Sequence, residues 1–163
     1  MGYRVAVGAD IAGVEYKDLI KSDLAADERI DEVIDCGVAA GEDVDYPHVG
    51  VKVAKLVADG SVDRAVLVCG TGMGMAISAN KVPGVRACTA HDSFSVERLV
   101  LSNDAQVLCL GQRVIGPFLA RRLAKEFFGY DFDPSSSSAP KVAAISSYEA
   151  ELGGTPDDAP ASC

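Results

Sequence analysis

The chain has 163 residues, of which 48% are hydrophobic, and its 24 acidic residues outnumber its 15 basic ones to give a net charge of −9. This length suits one domain with a proper core and is too short for two ordinary domains. The negative charge argues against binding of nucleic acid or of an anionic membrane. An anionic ligand would therefore have to be held by a few placed cations and amides.

Cysteine usage and the start of the chain bear on where the protein works. Five cysteines without CxxC spacing fit reduced thiols better than a disulfide framework, and no apolar run approaches the length of a membrane span. The first strand begins almost at once, which leaves no room for a signal peptide. We therefore expect a cytoplasmic protein, in which Cys36, Cys88 and Cys109 are core residues and Cys163 is uninvolved.

Apolar runs of strand length alternate with helical patterns along most of the chain. The predicted strands are residues 3–8, 32–36, 64–69, 85–89 and 106–110, and the predicted helices begin near residues 14, 47, 75, 93 and 117. This alternation predicts an α/β fold, a three-layer sandwich in which helices cover both faces of a five-stranded parallel sheet.

The composition changes after Gly129. Residues 131–140 contain four consecutive serines and two prolines, which predict an extended or mobile link. Residues 141–152 again have a helix-like pattern, and residues 153–163, rich in Gly, Pro, Asp and Ala, predict a disordered tail. We therefore assign one domain to residues 1–152 and expect its last helix to pack on a second copy of the chain.

The main candidate site lies in the sequence VLVCGTGMGMAISANK at residues 66–81. A predicted strand ends at Cys69, and glycines follow at every second position, Gly70, Gly72 and Gly74, before a helix begins. The amides of such a loop and the positive end of the helix would surround the thiol. A thiol in that place is expected to ionise more readily than a free one.

Spacing excludes several familiar functions of glycine loops. Met75 occupies the last glycine position of a dinucleotide-binding GxGxxG motif and also the arginine position of a cysteine phosphatase. The GxxxxGK sequence of a nucleotide P-loop and the serine of a hydrolase elbow are absent. Two interpretations stay open: a thiol that removes a proton from carbon beside backbone donors for an oxyanion, or a buried cysteine above a structural turn.

Other polar residues follow predicted strands at their carboxyl ends, where open α/β sheets bind ligands. Asp10 follows the first strand and either contacts a ligand or caps the next helix. Arg113 follows the fifth strand, and Tyr46 lies at the start of a helix, where packing is its commoner role. His48 is expected at the surface. His91 is either a second titrating group near the site or a loop residue satisfied by solvent.

Six segments together resemble the ribose-5-phosphate isomerase B and galactose-6-phosphate isomerase family. They are GADxAG at 8–13, DYP at 45–47, CGTGxG at 69–74, ANKVPGVRA at 79–87, SND at 102–104 and GxRVIG at 111–116. The resemblance implies a Rossmann-like fold and metal-free aldose–ketose isomerisation of a sugar phosphate, with no cofactor. It also implies a homodimer, or a dimer of dimers, whose active sites are shared between two subunits.

The resemblance further implies roles for individual residues. Cys69 would be the base that moves a proton between two carbons of an enediolate, Thr71 would lie near the reacting end, and Asn103 would hold the enediolate oxygens with the loop amides. The phosphate would bind Arg113 and Lys141. The full set of substrate-binding residues would be Asp10, Tyr46, Gly70, Gly72, Gly74, Arg113 and Lys141.

Three positions depart from the family pattern. Ile11 and Ser102 stand where many members have histidines, the second of which is credited with ring opening, and Lys141 replaces an arginine, keeping the charge but losing the bidentate fork. A tetrose bearing phosphate on its terminal oxygen cannot close a furanose, because the hydroxyl that would close it is esterified. The sequence therefore favours isomerisation of D-erythrulose 4-phosphate to D-erythrose 4-phosphate, and SAPKV at 138–142 is similar to the tetrulose-phosphate branch. The alternatives are a ribose-5-phosphate isomerase and a non-catalytic sugar-phosphate-binding protein.

Overall fold

The computed structural model describes residues 2–39 and 41–153 and contains one five-stranded parallel sheet. Strands β1 to β5 are Tyr3–Ala9, Ile30–Asp35, Arg64–Cys69, Ala87–Thr89 and Val107–Gly111. Helices α1 to α6 are Val14–Ala25, Tyr46–Ala58, Met73–Ala79, Ser93–Leu101, Pro117–Phe127 and Ala139–Leu152. The predicted α/β architecture is confirmed, and each strand begins and ends within about two residues of the bounds expected from the sequence.

The strand order β2-β1-β3-β5-β4 determines where the ends of the strands meet. Strand β1 has β2 on one side and β3 on the other, so the order reverses between β1 and β3. Ligands of open α/β sheets bind at the carboxyl ends of the strands beside such a reversal. On the other side of β3, Cys69 pairs in register with Gly111 at the end of β5.

Two hydrophobic cores cover the two faces of the sheet. Helices α1, α4 and α5 pack on the face that contains Val68, and helices α2 and α3 pack on the face that contains Leu67 and Cys69. Every residue of β3 is buried, because the strand lies in the middle of the sheet with helices on both sides.

The prediction that three cysteines are core residues is confirmed for two of them. Cys36 and Cys109 are buried, and burial raises the pKa of both thiols. The prediction is wrong for Cys88, which is exposed. Cys88 lies in β4, a three-residue strand at the edge of the sheet, where neighbouring elements cover it incompletely.

The segment between α5 and α6, for which the sequence predicted an extended or mobile link, forms turns and is therefore not extended. Ser136 N–H donates to Asp133 O at 3.0 Å, and Ser135 N–H donates to Asp133 Oδ1 at 2.8 Å. An aspartate that accepts from the backbone two residues ahead is a frequent stabiliser of turns.

Helix α6 contacts its own chain through few residues. Val142 is buried, and Glu149 Oε2 accepts a hydrogen bond from Gly84 N–H at 2.8 Å. Most of the helix is exposed, and its packing on a second copy stays a prediction. The predicted tail lies outside the described residues except for Gly153. No helix among the described residues is long and apolar enough to cross a membrane, and cytoplasmic localisation stays a prediction.

A buried arginine joins the start of β3 to the end of α5. Arg64 donates from Nη1 to Phe127 O at 2.7 Å and from Nη2 to Tyr130 O at 2.8 Å. Its guanidinium carbon lies 4.6 Å from the centroid of the Tyr3 ring. The last carbonyl groups of a helix lack partners within the helix, so Arg64 supplies donors where α5 ends.

Arg64→Met should lower the free energy of unfolding by about 3 kcal/mol, because two carbonyl groups would lose charged hydrogen-bond donors. Urea denaturation followed by circular dichroism measures this change. Arg122→Met is the control, since Arg122 is mostly exposed and pairs with Glu126 within α5. Equal losses in the two variants would contradict the role given to Arg64.

Candidate active site

Cys69 lies at the carboxyl end of β3, and only 5% of its surface is exposed. Its Sγ atom accepts a hydrogen bond from Gly72 N–H at 3.0 Å. Gly72 has φ of 81°, a left-handed conformation that glycine adopts readily, and it precedes the first residue of α3. The turn therefore aims a backbone donor at the thiol.

The loop that follows Cys69 lies directly on the end of β5. A Cβ atom at Gly111 would lie 2.8 Å from both Cα and O of Thr71, and one at Gly72 would lie 3.0 Å from Leu110 C. A side chain at either position would overlap backbone atoms, which cannot move aside cheaply. The two glycines therefore allow the loop and the strand to touch through their backbones.

Two hydrogen bonds attach the same loop to the segment after β5. Gln112 N–H donates to Cys69 O at 2.9 Å, and Arg113 N–H donates to Gly70 O at 3.0 Å. The Arg113 side chain runs over the loop, since a Cβ atom at Gly70 would lie 3.5 Å from Arg113 Cδ and 3.6 Å from its Nε. An exposed guanidinium therefore lies beside the loop that holds the thiol.

Asp10 lies on the β1 side of Cys69. Its Oδ1 accepts a hydrogen bond from Ala12 N–H at 3.0 Å, whereas Gly13 is the residue that precedes α1, so Asp10 does not cap the helix. Gly13 packs against β3, because a Cβ atom there would lie 3.0 Å from Cys69 N. Burial raises the pKa of Asp10, and the Ala12 N–H and the positive charge of Arg113 oppose that rise.

The ring of Tyr46 covers the third glycine of the loop. A Cβ atom at Gly74 would lie 2.8 Å from both Cδ2 and Cζ of Tyr46, so any larger residue would displace the ring. Ile11 and Met73, which are 55% and 60% exposed, add apolar side chains to the turns at this edge. The thiol is thus surrounded by both polar donors and apolar surface.

We call Asp10, Tyr46, residues 69–74 and Arg113 the thiol cluster. The sheet brings together most of the residues that the sequence singled out: Asp10, Tyr46, Cys69, Gly70, Thr71, Gly72, Gly74 and Arg113. Within residues 2–39 and 41–153, no group of three or more His, Cys, Asp or Glu side chains could hold a metal ion. A thiol, backbone donors and a guanidinium are suited to carbon deprotonation, oxyanion stabilisation and anion binding.

Asn103 and Lys141, which we call the distal pair, lie elsewhere. Asn103 follows α4, the helix that returns the chain to the amino edge of the sheet, and Arg86 fixes its turn by donating to Asn103 O at 2.9 Å and to Asp104 Oδ2 at 2.7 Å. Lys141 is exposed one helical turn before Ile145, which lines a cavity of about 240 Å³ together with Asn103. One chain therefore does not bring the distal pair to its own thiol.

Sequence reasoning missed three contacts at this edge. Of the two alternatives for His91, a loop residue satisfied by solvent is wrong, because its Nε2 accepts a hydrogen bond from Gly111 N–H at 2.9 Å. The close approaches at Gly13 and Gly111 were not predicted either. Their sequence signals are that each glycine stands at or shortly after the carboxyl end of a strand and that each belongs to a segment of the family resemblance, GADxAG or GxRVIG.

Comparison with known proteins shows which family the chain resembles. The pattern of the family described as Ribose/Galactose Isomerase matches residues 5–145. D-erythrulose-4-phosphate isomerase 2 of Mycolicibacterium smegmatis is 54% identical over 150 residues, which cover 91% of this chain and 99% of that protein. Ribose-5-phosphate isomerase B of Escherichia coli is 38% identical over 146 residues, which cover 90% of this chain and 96% of that protein.

The fold agrees with these sequence similarities. The structure of type B ribose 5-phosphate isomerase from Trypanosoma brucei matches with a TM-score of 0.86 at 36% identity, and the match covers 91% of this chain and 100% of that one. The matched family region begins in β1 and ends in α6, so it contains both the thiol cluster and the distal pair. The chain therefore belongs to the ribose/galactose isomerase family and is an aldose–ketose isomerase of sugar phosphates.

Proposed function

We propose that this isomerase converts D-erythrulose 4-phosphate to D-erythrose 4-phosphate with Cys69 as its base. The observation that carries the proposal is the hydrogen bond from Gly72 N–H to Cys69 Sγ at 3.0 Å, because it holds a thiol at the ligand-binding edge of the sheet. The name and the 54% identity of the M. smegmatis relative support the tetrose substrate.

The reaction moves a proton between neighbouring carbons. The Cys69 thiolate removes a proton from C1 of the ketose, the electrons of that bond form the C1–C2 double bond, and the carbonyl oxygen becomes an oxyanion. The thiol then returns the proton to C2 while the proton of the C1 hydroxyl passes to O2, which leaves an aldehyde at C1. Backbone N–H groups between Gly70 and Gly74 stabilise the oxyanion.

The remaining residues of the thiol cluster bind the substrate. Arg113 supplies local positive charge for the phosphate, which a chain with a net charge of −9 does not provide through its overall field. Asp10 accepts hydrogen bonds from sugar hydroxyls, and the ring of Tyr46 packs along the carbon chain. The Thr71 hydroxyl lies near the reacting end.

Ser102 favours a tetrose over a pentose phosphate. A serine hydroxyl does not titrate near neutral pH, so it does not act as the acid or base that opens a sugar ring. The proposal also gives His91 no such function, since its Nε2 already accepts the Gly111 N–H. A tetrose 4-phosphate needs no such group, since it has no furanose to open.

A second copy of the chain is the proposed source of the distal pair. Asn103 and Lys141 are both exposed and lie away from the thiol of their own chain. Ile77 on α3 and Ile145 on α6, which are 63% and 49% exposed, offer apolar surface for contact between copies. Two-fold symmetry would bring each distal pair to the thiol cluster of the other copy and create two equivalent sites.

Cys69→Ala should lower kcat on erythrulose 4-phosphate by about 10³-fold, because it removes the base. Deuterium incorporation from solvent at the carbon beside the carbonyl, followed by NMR, measures proton transfer directly. Cys88→Ala is the control, since Cys88 is an exposed thiol outside the cluster. Faster turnover of ribose 5-phosphate would contradict the substrate, and ligand-induced stabilisation without exchange would favour the binding protein.

Mixing inactive Cys69→Ala and Asn103→Ala chains should restore activity if sites are shared. Random exchange of subunits makes about half of the dimers mixed, and each mixed dimer has one intact site, so about a quarter of wild-type activity is expected. Activity assays before and after reversible subunit exchange measure the recovery. No recovery despite exchange proved by mass spectrometry would show that each chain builds its own site.

Asp10→Asn should raise the midpoint of thermal unfolding at pH 7. Burial raises the pKa of Asp10, so the native state binds more protons than the unfolded state, and native stability declines as the pH rises above the ordinary value of 3.8. Asparagine carries no charge and keeps an acceptor for Ala12 N–H. The gain should therefore vanish below about pH 3.8, while turnover falls because the sugar contact weakens.

Calorimetry at a series of pH values measures the effect of Asp10→Asn, with Asp59→Asn as the matched control. Hydrogen bonds from Ser61 lower the pKa of Asp59, so this control should lose stability at pH 7. A loss of stability in both variants would contradict the explanation given for Asp10.

A further inference from the structure

His91 extends the pairing between β4 and β5 with a side chain. The last backbone pair in this ladder is Thr89 with Cys109, a separation of 20 residues. The same separation relates His91 to Gly111, whose N–H donates to His91 Nε2 at 2.9 Å. The imidazole therefore stands where another residue of β4 would have supplied a backbone acceptor.

This side-chain acceptor is needed because β4 is short. The strand ends at Thr89, and Asp92 already caps α4 by accepting a hydrogen bond from Ser95 N–H. Gly111 is buried, so without His91 its N–H would lose this acceptor in a place poorly reached by water. A buried donor without a partner is costly, and the bond to His91 removes that cost.

Gly111 connects His91 to the thiol loop. It pairs in register with Cys69, and a Cβ atom at Gly111 would lie 2.8 Å from Thr71 Cα, so its backbone is packed against the loop. The next residue, Gln112, donates to Cys69 O at 2.9 Å. The hydrogen bond to His91 therefore fixes the peptide group on which the loop lies.

The same bond requires a neutral imidazole. Nε2 accepts a hydrogen bond only when it is unprotonated, which places the proton on Nδ1. Burial lowers the pKa of His91, and the negative charge of Asp92 opposes that shift. The group of β5 that faces His91 is the backbone N–H of Gly111. Among the described residues, Asp92 is the charged group that affects the pKa of His91.

We propose that neutral His91 is a positioning residue, which holds the end of β5 against the Cys69 loop and releases it on protonation. A protonated imidazole has two N–H donors and no acceptor, so it would face the Gly111 N–H donor to donor. This role requires neither contact between His91 and the substrate nor proton exchange with it. The inference rests on the proposed function, because Cys69 is the base whose position the bond controls.

Two variants separate the acceptor from the charge. His91→Gln retains an amide oxygen at a reach close to that of Nε2 but does not titrate, and His91→Leu fills similar space without an acceptor. His48→Gln is the matched control, because His48 is the other of the two histidines of the chain and is exposed. Circular dichroism checks that each variant is folded.

His91→Leu should lower kcat by about 10- to 100-fold with a smaller change in KM, because the loop would lose its fixed position. His91→Gln should keep most of the kcat and lose one inflection on the acid side of the wild-type profile, measured from about pH 5 to pH 8. His48→Gln should keep the wild-type profile. Wild-type kcat in His91→Leu, or an unchanged acid inflection in His91→Gln, would overturn the proposal.

Two further measurements do not depend on turnover. Nitrogen NMR should show His91 with its proton on Nδ1 at neutral pH, and a proton on Nε2 would overturn the proposal. Because the native pKa of His91 is lowered, wild-type stability should fall as the pH drops below 6.5, and His91→Gln should lack that fall. If Cys69→Ala retained turnover, the proposed base would fail while these two measurements still decided the His91–Gly111 bond.

Discussion

The close backbone contact between Gly111 and Thr71 is the constraint on which the candidate active site depends. It sets the distance between β3 and β5 beyond their last paired residues and leaves no space for a side chain between them. The loop then has to turn away from β5, and the left-handed conformation of Gly72 makes that turn and directs its N–H to Cys69. The position of the Gly72 N–H, which donates to the Cys69 thiol, thus follows from how closely β3 and β5 approach each other.

The charges at this edge are few and individually placed. Arg113 contributes a guanidinium over Gly70, and the turn after β1 brings a half-buried carboxyl group to the other side of the thiol. A raised carboxyl pKa is a cost that the fold carries at the proposed binding site, as functional residues often do. In contrast, Arg64 is buried, donates to two backbone oxygens and to the Asp131 carboxylate, and serves the connection between β3 and α5.

The local sequence pattern was sufficient to predict the helices and strands, but not to predict which of them lie side by side in the fold. The bounds of β3 were predictable because residues 65–69 form an uninterrupted apolar run between Arg64 and Gly70, as is typical of a strand buried on both faces. Strand β4 is shorter than predicted, and Cys88 is exposed, because a hydrophobic run at the edge of a sheet lacks the partners that would bury it. The position of Asn103 relative to Cys69 could not be predicted, because it depends on where the turn after α4 lies in the folded sheet. The bond of His91 depends on the register between β4 and β5, which no local period encodes.

The short length of β4 has a consequence for how the protein behaves at high concentration. An edge strand presents unpaired N–H and C=O groups, to which a strand of another molecule can add. Here β4 has only three residues, and the His91 imidazole binds the next N–H of β5 beyond them. In the loop before β4, Glu149 of α6 accepts the N–H of Gly84. At the opposite edge, β2 carries three acidic residues in the sequence IDEVID, and all three are exposed. Both borders of the sheet are thus poor templates for cross-β aggregation.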